Sequence, residues 1–299
     1  MKTFVGLLKR ELQEHPALYI GPLGVNLFIA VSALILVARA VGSADNLRNI
    51  VGAIDFADPS AFEAGRNALI ASPIAFVIVV TIAVGYFYFI DCLYAERKDR
   101  TILFFKSFPV SDTQTVLSKL LCGVLLLPAL SLVAFAVTQI FVLVVASLAM
   151  LFAGGSPGAL WTIGGILANW TFILYILVTC ALWFAPFIGF LMLVSSWAKR
   201  AVFLWSIMPL IVMQAEFLLP GRNFLSPVIL GRFSNYPAAA LSFGQVTGSR
   251  DEAGDGSLSL LQFADPIGLL VQPGLWVGLV VAGLFVTAAI YMRRYRDDS

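Results

Sequence analysis

The chain has 299 residues, of which 60% are hydrophobic and 12% are charged, and its mean hydropathy is +0.93. A soluble domain carries about twice that charged fraction, so the composition excludes a soluble globular protein. Several apolar runs reach the ~20 residues that cross a ~30 Å hydrocarbon core as a helix, and they lack the alternation of barrel strands. The net charge of +2 gives no indication of a nucleic-acid partner.

The sequence predicts one all-α, polytopic membrane domain over residues 1–299. At its start, residues 1–16 have the pattern of an amphipathic helix that Pro16 ends. Leu7 and Leu8 fall on its apolar face, whereas Glu11 falls on its polar face. We expect this helix to lie at the membrane interface; the alternative is a plain cytosolic extension of the first span.

Six transmembrane helices are expected to follow. They are predicted at residues 18–38, 70–90, 115–151, within 161–197, 201–219 and 275–292. The third run is longer than a span requires, so its first turns are expected in the cytosol, and Pro128 is expected to kink it. The fourth and fifth spans are expected to form a tight hairpin.

The stretch 94–118 is the densest run of charge in the chain and separates the second and third spans. Charged residues come first, then an apolar group that includes Phe104 and Phe105, then a break at Pro109. This order predicts a short amphipathic helix at a membrane surface, which either docks on a partner protein or rests on lipid headgroups. Ser111 and Gln114 have the spacing of a capping box that starts the next helix.

Residues 220–273 form the longest predicted non-spanning segment. Three moderately apolar pieces, 225–233, 236–243 and 258–271, predict short helices on the outer surface. With six spans and a cytoplasmic N-terminus, thirteen Lys and Arg residues lie inside and six lie outside. This distribution obeys the positive-inside rule, and it predicts two cytoplasmic termini and a cytoplasmic 94–118 stretch.

Several kinds of chemistry have no motif in this sequence. No glycine is followed by lysine, so the phosphate-binding loop of P-loop ATPases is missing. Three cysteines and one histidine are too few for a haem or zinc centre. Secondary carriers usually have ionisable midplane sites or repeated halves, and neither is evident here. We therefore expect no catalytic site, metal site or bound cofactor, and an energy source outside the chain.

The order of these elements resembles that of ABC-2 type transporter permeases, the membrane subunits of type V ABC exporters. The local match follows the family pattern of an acidic and a basic residue, a threonine, a Pro-Val-Ser triplet and a lysine, here at Glu96, Arg97, Thr101, Pro109, Val110, Ser111 and Lys119. The sequence departs from the pattern at Arg100, where many relatives carry glycine, and at 102–103, where an acidic residue is common.

The resemblance implies a permease subunit that pairs with a second copy, as a homodimer, and with two cytosolic ATPase subunits that bind ATP and Mg. It implies a bacterial inner-membrane location and a coupling element after the second span. The residues expected to couple to the ATPase are Glu96, Arg97, Arg100, Thr101, Phe104, Phe105, Lys106 and Pro109.

The resemblance also places the substrate route mainly along spans two and five. Candidate pathway residues are Tyr86, Gln214 and Glu216, although an interfacial structural role is the preferred interpretation of Glu216. Two other functions remain possible at this stage. One is an accessory subunit that transmits ATPase motion to an outer partner, and the other is a membrane enzyme or secondary carrier.

Overall fold

The fold is helical along the whole described part of the chain. The computed structural model describes residues 2–41, 59–98, 111–152, 157–218, 225–242 and 260–295. Within these ranges the elements are helices and short connections, apart from one isolated antiparallel bridge between Leu241 and Ala264. The prediction of an all-α protein is therefore confirmed.

Twelve α-helices are found in the described ranges. In chain order they are α1 Lys2–Glu14, α2 Ala17–Val41, α3 Pro59–Asp91, α4 Tyr94–Lys98, α5 Asp112–Leu121, α6 Leu127–Phe152, α7 Ile163–Trp183, α8 Ala185–Trp197, α9 Val202–Leu218, α10 Leu225–Ala240, α11 Pro266–Val271 and α12 Pro273–Tyr295. A π-helical turn at Cys122–Leu126 joins α5 to α6. Short 3₁₀ turns lie at Pro157–Leu160 and Leu260–Phe263.

Five of the described helical segments are long and apolar enough to cross a membrane. They are α2, α3, the continuous α5–α6 segment, α7 and α12, and large side chains such as Phe28 and Phe76 remain exposed on their surfaces. These are the features of a multi-pass membrane protein. α9 has 17 residues, which gives it a length of about 25 Å at 1.5 Å per residue. A sixth span at this helix therefore stays a prediction.

A helix is present at the N-terminus, as predicted, but one of its polar residues, Glu11, is buried. α1 ends at Glu14, and the chain turns at His15 and Pro16 before α2 begins. Leu8 packs on the main apolar core, as the pattern predicts. Glu11, which the pattern assigns to the polar face, is only 3% exposed because it has ionic partners inside the protein. The position of α1 relative to a membrane stays a prediction.

The predicted capping box starts α5. The Ser111 hydroxyl accepts a hydrogen bond from the Gln114 amide at 3.2 Å, and the Gln114 side chain accepts one from the Ser111 amide at 3.4 Å. The helix then widens into the π turn before Pro128, where the Leu127 amide bonds to the Cys122 carbonyl. Because Pro128 has no amide hydrogen for the preceding turn, the irregularity arises immediately before it.

The predicted fourth span is broken at Phe184 into α7 and α8. Pro186 lies in the first turn of α8, where its missing amide is tolerated. The break leaves the Trp183 carbonyl without a helical partner, and Arg232 of α10 supplies two hydrogen bonds to it, at 2.9 and 2.7 Å. The Arg232 guanidinium also lies over the Trp183 ring, 4.7 Å from its centroid.

Gly189 lets α8 pack closely against α12. A Cβ atom at Gly189 would come within 2.9 Å of the Ala282 carbonyl oxygen, so only glycine lets the two backbones pack at this distance. After α8, a turn at 199–200 leads into α9 through Ala201, whose φ of 54° is in the left-handed region. α8 and α9 thus form the expected hairpin.

The described parts of the segment between α9 and α12, residues 225–242 and 260–272, are mainly helical, as predicted, but they are divided differently. The two pieces expected at 225–233 and 236–243 form one helix, α10, which continues through Pro237. Pro237 lies in the last turn of α10, where the missing amide interrupts little of the helix. A 3₁₀ turn and α11 follow, and Asp265 caps α11 by accepting from the Gly268 amide at 2.7 Å.

Candidate functional site

The most unusual polar feature of the described residues is a buried group of charges that we call the charge cluster. Its members are Glu11, Glu96, Asp112, Lys119 and Arg293, from α1, α4, α5 and α12. Lys119 lies at its centre and is fully buried. Its Nζ atom is 2.6 Å from Glu11 Oε1 and 3.1 Å from Glu96 Oε1. One ammonium group therefore holds two carboxylates that are 3% and 4% exposed.

Arg293 completes the cluster from the last described helix. It is 6% exposed, and its guanidinium binds Glu96 Oε2 on one side and Asp112 Oδ1 on the other, the latter at 3.0 Å. Such charge-assisted contacts are stronger than neutral hydrogen bonds and are fixed in direction by the planar guanidinium. Glu96 precedes residues 99–110 and Asp112 follows them, so Arg293 ties the two ends of that segment together.

Tyr88 connects the charge cluster to the end of α3. Its hydroxyl hydrogen is shared between the Lys119 carbonyl oxygen at 3.0 Å and Glu11 Oε2 at 3.2 Å. The edge of the His15 ring contacts the Tyr88 ring, with 5.2 Å between centroids. Burial lowers the pKa of His15, and Lys119 lowers it further, against the opposing effect of Glu11, Asp91 and Glu14. His15 is therefore neutral at pH 7.

A second set of contacts fixes the start of α4 against the end of α8. The Ser195 hydroxyl accepts hydrogen bonds from the amides of Leu93 and Tyr94, both at 3.0 Å. Arg97 donates to the carbonyl oxygens of Ser195 and Ala198, the latter at 3.0 Å. These carbonyls are at the C-terminus of α8, where a cation also interacts favourably with the helix dipole. These contacts hold the connection between α3 and α4 against the end of α8.

The chemistry of the charge cluster fits a structural joint better than a metal site. Carboxylate oxygens of Glu11, Glu14 and Glu96 lie within 4.8 Å of one another, a spacing that a metal ion can bridge. Lys119, however, already occupies the space between Glu11 and Glu96, and Arg10 pairs with Glu14 at 2.6 Å. The negative charge is therefore neutralised by the chain itself, and we assign no metal there.

The predicted coupling residues divide into two groups. Glu96 lies in the charge cluster, and Arg97 lies among the contacts between α4 and α8. Both side chains contact other helices of the same chain. The other six lie outside the described residues: Arg100, Thr101, Phe104, Phe105, Lys106 and Pro109. The structure thus describes the base of the predicted coupling element, and contact of its middle with a partner stays a prediction.

The three predicted pathway residues are in three different settings. The Tyr86 hydroxyl bonds to Ser206 Oγ at 2.6 Å and so joins α3 to α9, beside a cavity. Glu216 accepts hydrogen bonds from the amides of Leu225 and Ser226 at 2.9 to 3.1 Å. It therefore caps the N-terminus of α10, which fits the structural role left open for it. Gln214 is exposed on α9.

The reasoning from sequence missed four cluster members as site residues: Glu11, Asp112, Lys119 and Arg293. Lys119 appears only within the family pattern, and Arg293 appears only in the charge count that gave the topology. One signal was present. Lys119 lies where α5 becomes continuously apolar, and a lone cation at such a position requires a carboxylate partner. The sequence did not indicate which of the chain's carboxylates that partner would be.

Comparison with known proteins gives no assignment. None of the family models, curated proteins or solved structures matches this chain. What the chain does must therefore be inferred from the charge cluster and the cavity.

Proposed function

We propose that this chain is the membrane subunit of an ATP-driven exporter in a bacterial inner membrane. It has six spans and two cytoplasmic termini, and it works as a homodimer with two copies of a cytosolic ABC ATPase. ATP and Mg bind to the ATPase, since this sequence has no phosphate-binding loop.

The observation that carries the proposal is the way the charge cluster fixes the residues on both sides of 99–110. Glu96 lies just before this segment, and Asp112 and Lys119 lie after it. Arg293 binds both Glu96 and Asp112, and Lys119 binds both Glu96 and Glu11 of α1. Because ion pairs fix the residues on both sides of this segment, a push that reaches Glu96 or Asp112 is passed to the helices that bind them.

The contacts define where such a push would go. Tyr88 carries it to α3, Arg293 carries it to α12, and the Ser195 contacts carry it to α8. α3 then reaches α9 through the hydrogen bond between Tyr86 and Ser206. Motion at one end of the molecule thereby reaches the helices around the cavity, which is what an ATP-driven transporter needs.

A double substitution of Phe104 and Phe105 by alanine tests the coupling role. These two rings supply the largest apolar area in the segment, and aromatic anchors of this kind dominate protein interfaces. We expect the variant to insert normally and to bind the co-encoded ATPase at least about tenfold more weakly, since one anchor contributes about 2 kcal/mol or more. Co-purification and titration of the ATPase onto the chain in nanodiscs measure this.

Phe152→Ala is the matched control. Phe152 is 77% exposed at the far end of α6, so its loss removes a similar ring from the opposite end of the molecule. We expect it to bind the ATPase like the parent chain. If the Phe104 and Phe105 double variant also binds the ATPase and transports like the parent, residues 99–110 are not the coupling element.

An accessory subunit that only transmits motion is the second candidate. The charge cluster would serve such a subunit equally well, because it joins helices without providing a route. The cavity between α3 and α9 favours transport, since a pure transmitter has no need of it. ATP-dependent movement of a compound by the reconstituted complex would decide between the two functions.

A further inference from the structure

A cavity of about 330 Å³ lies among the helices. Its walls come from α3, the π turn, α6, α7, α8, α9 and α10, and about half of its boundary is open. The volume is at the lower end of the ~300–1,000 Å³ of small-molecule sites. The cavity is therefore large enough for one small molecule.

The walls of the cavity are aromatic and apolar. Six rings line it: Tyr86, Phe89, Phe184, Phe187, Phe190 and Phe233. Three of them form a tilted cluster, with 5.1 Å between the centroids of Phe184 and Phe233 and 5.6 Å between those of Phe187 and Phe233. Aromatic rings favour tilted and offset contacts with other rings, so such walls fit a flat aromatic molecule better than a flexible acyl chain.

The polar atoms in the walls already have partners within the chain. Thr81 bonds to the Val77 carbonyl and to Ser131, and Cys180 donates to the Tyr236 hydroxyl. Tyr86 and Ser206 bond to each other, and Ser206 also donates to a backbone carbonyl. Among the described residues that line the cavity, none is charged. A charged ligand would lose its hydration there and gain no counter-ion.

Two interruptions of regular helix meet at this cavity. Gly123 of the π turn lines one wall, and a Cβ atom at this position would overlap the Phe89 ring. Phe184, at the break between α7 and α8, lines another wall. π turns are frequent at functional sites, and transporters form binding sites at broken helices. The interruptions give the walls two places where they can change shape.

We infer that this cavity binds one neutral, apolar aromatic molecule, and that molecules of this class are what the chain exports. The second half of this inference rests on the proposed exporter function, whereas the first half does not. The expected ligand carries no net charge and few hydrogen-bonding groups, because the side chains of the described wall residues offer no free donor and no counter-ion.

Benzophenone, a neutral aromatic photoreactive compound, tests binding to the chain alone in phosphatidylcholine nanodiscs. We expect saturable labelling of peptides that contain Phe184, Phe187 or Phe233. Its charged relative 4-benzoylbenzoate is expected to label these peptides about tenfold less. Labelling that rises without saturation, and that follows the lipid-exposed surface instead, would mean that lipid alone fills the cavity and would overturn the inference.

Variants that fill the cavity separate this site from the lipid-facing surface. Ala181→Phe and Leu210→Trp add bulk from two different helices, and each should reduce the saturable labelling about tenfold. Val178→Phe is the control, since Val178 is 43% exposed on α7 and does not line the cavity. If one of the two filling variants misfolds, the other alone tests whether the cavity is the labelled site. Unchanged labelling in a correctly folded filling variant would contradict the inference.

A final measurement separates the ligand class from the exporter function. Biphenyl, which is neutral and not photoreactive, should raise ATP hydrolysis by the parent complex and leave the Ala181→Phe complex unchanged. If the ATPase does not bind the chain at all, the proposed function fails while the labelling result stands. If the ATPase binds and biphenyl has no effect on hydrolysis, the assignment of this class as exported cargo is wrong.

Discussion

Lys119 shows how a single side chain can hold several helices. It is fully buried, yet it carries a charge, because Glu11 and Glu96 both lie within 3.1 Å of its ammonium group. Taking three charged groups out of water is costly, and their mutual attraction offsets that cost only while all partners are present. The charge cluster is therefore sensitive to the loss of any one member.

We expect Lys119→Met to destabilise the protein by about 3–5 kcal/mol, the range for breaking a buried ion pair by removing one partner. The loss leaves the Glu11 and Glu96 carboxylates buried without their shared cation. Thermal unfolding in detergent measures the effect. Lys98→Met is the control, because Lys98 is exposed and its removal should change the unfolding free energy by less than about 0.5 kcal/mol.

Glu11→Gln combined with Lys119→Met should recover part of that loss. The double variant removes one of the stranded carboxylates, so its unfolding free energy should lie above that of Lys119→Met alone. A Lys119→Met protein that melts together with the parent would show that the cluster contributes nothing to stability.

His15 gives the charge cluster a dependence on pH. Its pKa is lowered in the folded protein, chiefly by burial, so the unfolded chain binds a proton more readily than the folded chain does. The stability from neutral His15 is present above the ordinary pKa of about 6.5 and is lost as the pH falls below it. We expect melting temperatures to fall between pH 7 and pH 5.5.

His15→Gln should flatten that part of the pH profile. Glutamine keeps a polar side chain near Tyr88 but does not titrate, so any slope that remains must come from the neighbouring carboxylates. Melting curves at several pH values compare the two proteins. Equal slopes in parent and variant would mean that His15 is not the group responsible.

At the scale of elements, hydrophobic length and helix-start signals were enough to predict most helices. The capping box at Ser111 and Gln114 gave the start of α5, and the apolar runs gave α2, α3 and α12. The break at Phe184 could not be located so closely. Pro186 indicated an irregularity, but the exact break depends on Arg232 of α10, which binds the carbonyl that the break releases. Such a partner, far along the chain, leaves no local signal.

The same limit explains why Glu11 of α1 was assigned to the wrong face. Periodicity places apolar residues inside and charges outside, which is correct for Leu8 and wrong for Glu11. A charge can face inward when another element brings a partner, and here that partner is Lys119, 108 positions further along the chain. Residues that pair over such distances are determined by tertiary packing.

The turn between α8 and α9 carries a conformational strain that can be relieved. Ala201 has a φ of 54°, and a residue with a Cβ atom loses about 1–2 kcal/mol in this left-handed region. Ala201→Gly removes that strain, although glycine makes the unfolded chain more flexible and so recovers less than the full amount. We expect a gain of about 0.5–1 kcal/mol in unfolding free energy, measured by thermal melting.

Ala198→Gly provides the opposite expectation in the same turn. Ala198 caps α8 with a φ of −69°, a conformation in which alanine is unstrained. Glycine should therefore lower the unfolding free energy at this position. If both glycine variants move stability in the same direction, the φ of Ala201 is not a source of strain.

At the scale of the whole molecule, the charge distribution makes a prediction about membrane topology. The charge distribution predicts that residues 220–273 are outside and residues 94–118 are inside. Cysteine substitutions at Ser249 and Ser107 should react with an impermeant thiol reagent from opposite sides of the membrane. Native Cys92 and Cys122 are fully buried and should stay silent in this assay, and Cys180 is replaced by alanine.

Labelling of both positions from the same side would rule out the six-span arrangement. The outcome would also decide the status of α9, because removing one span moves everything after it to the other side. With α9 as a span, α12 returns the chain to the side on which α1 begins.

Arg293 has a further consequence for how the protein is made. It lies 197 positions after Glu96, so Glu96 and Lys119 leave the ribosome long before the cation that closes the charge cluster. Until α12 is inserted, Glu96 lacks one of its cations and Asp112 lacks its partner. A chain in which α12 is not yet inserted therefore has uncompensated negative charge at Glu96 and Asp112, and insertion of α12 neutralises it. We therefore expect the charge cluster to become rigid only when synthesis has passed α12, the last described helix.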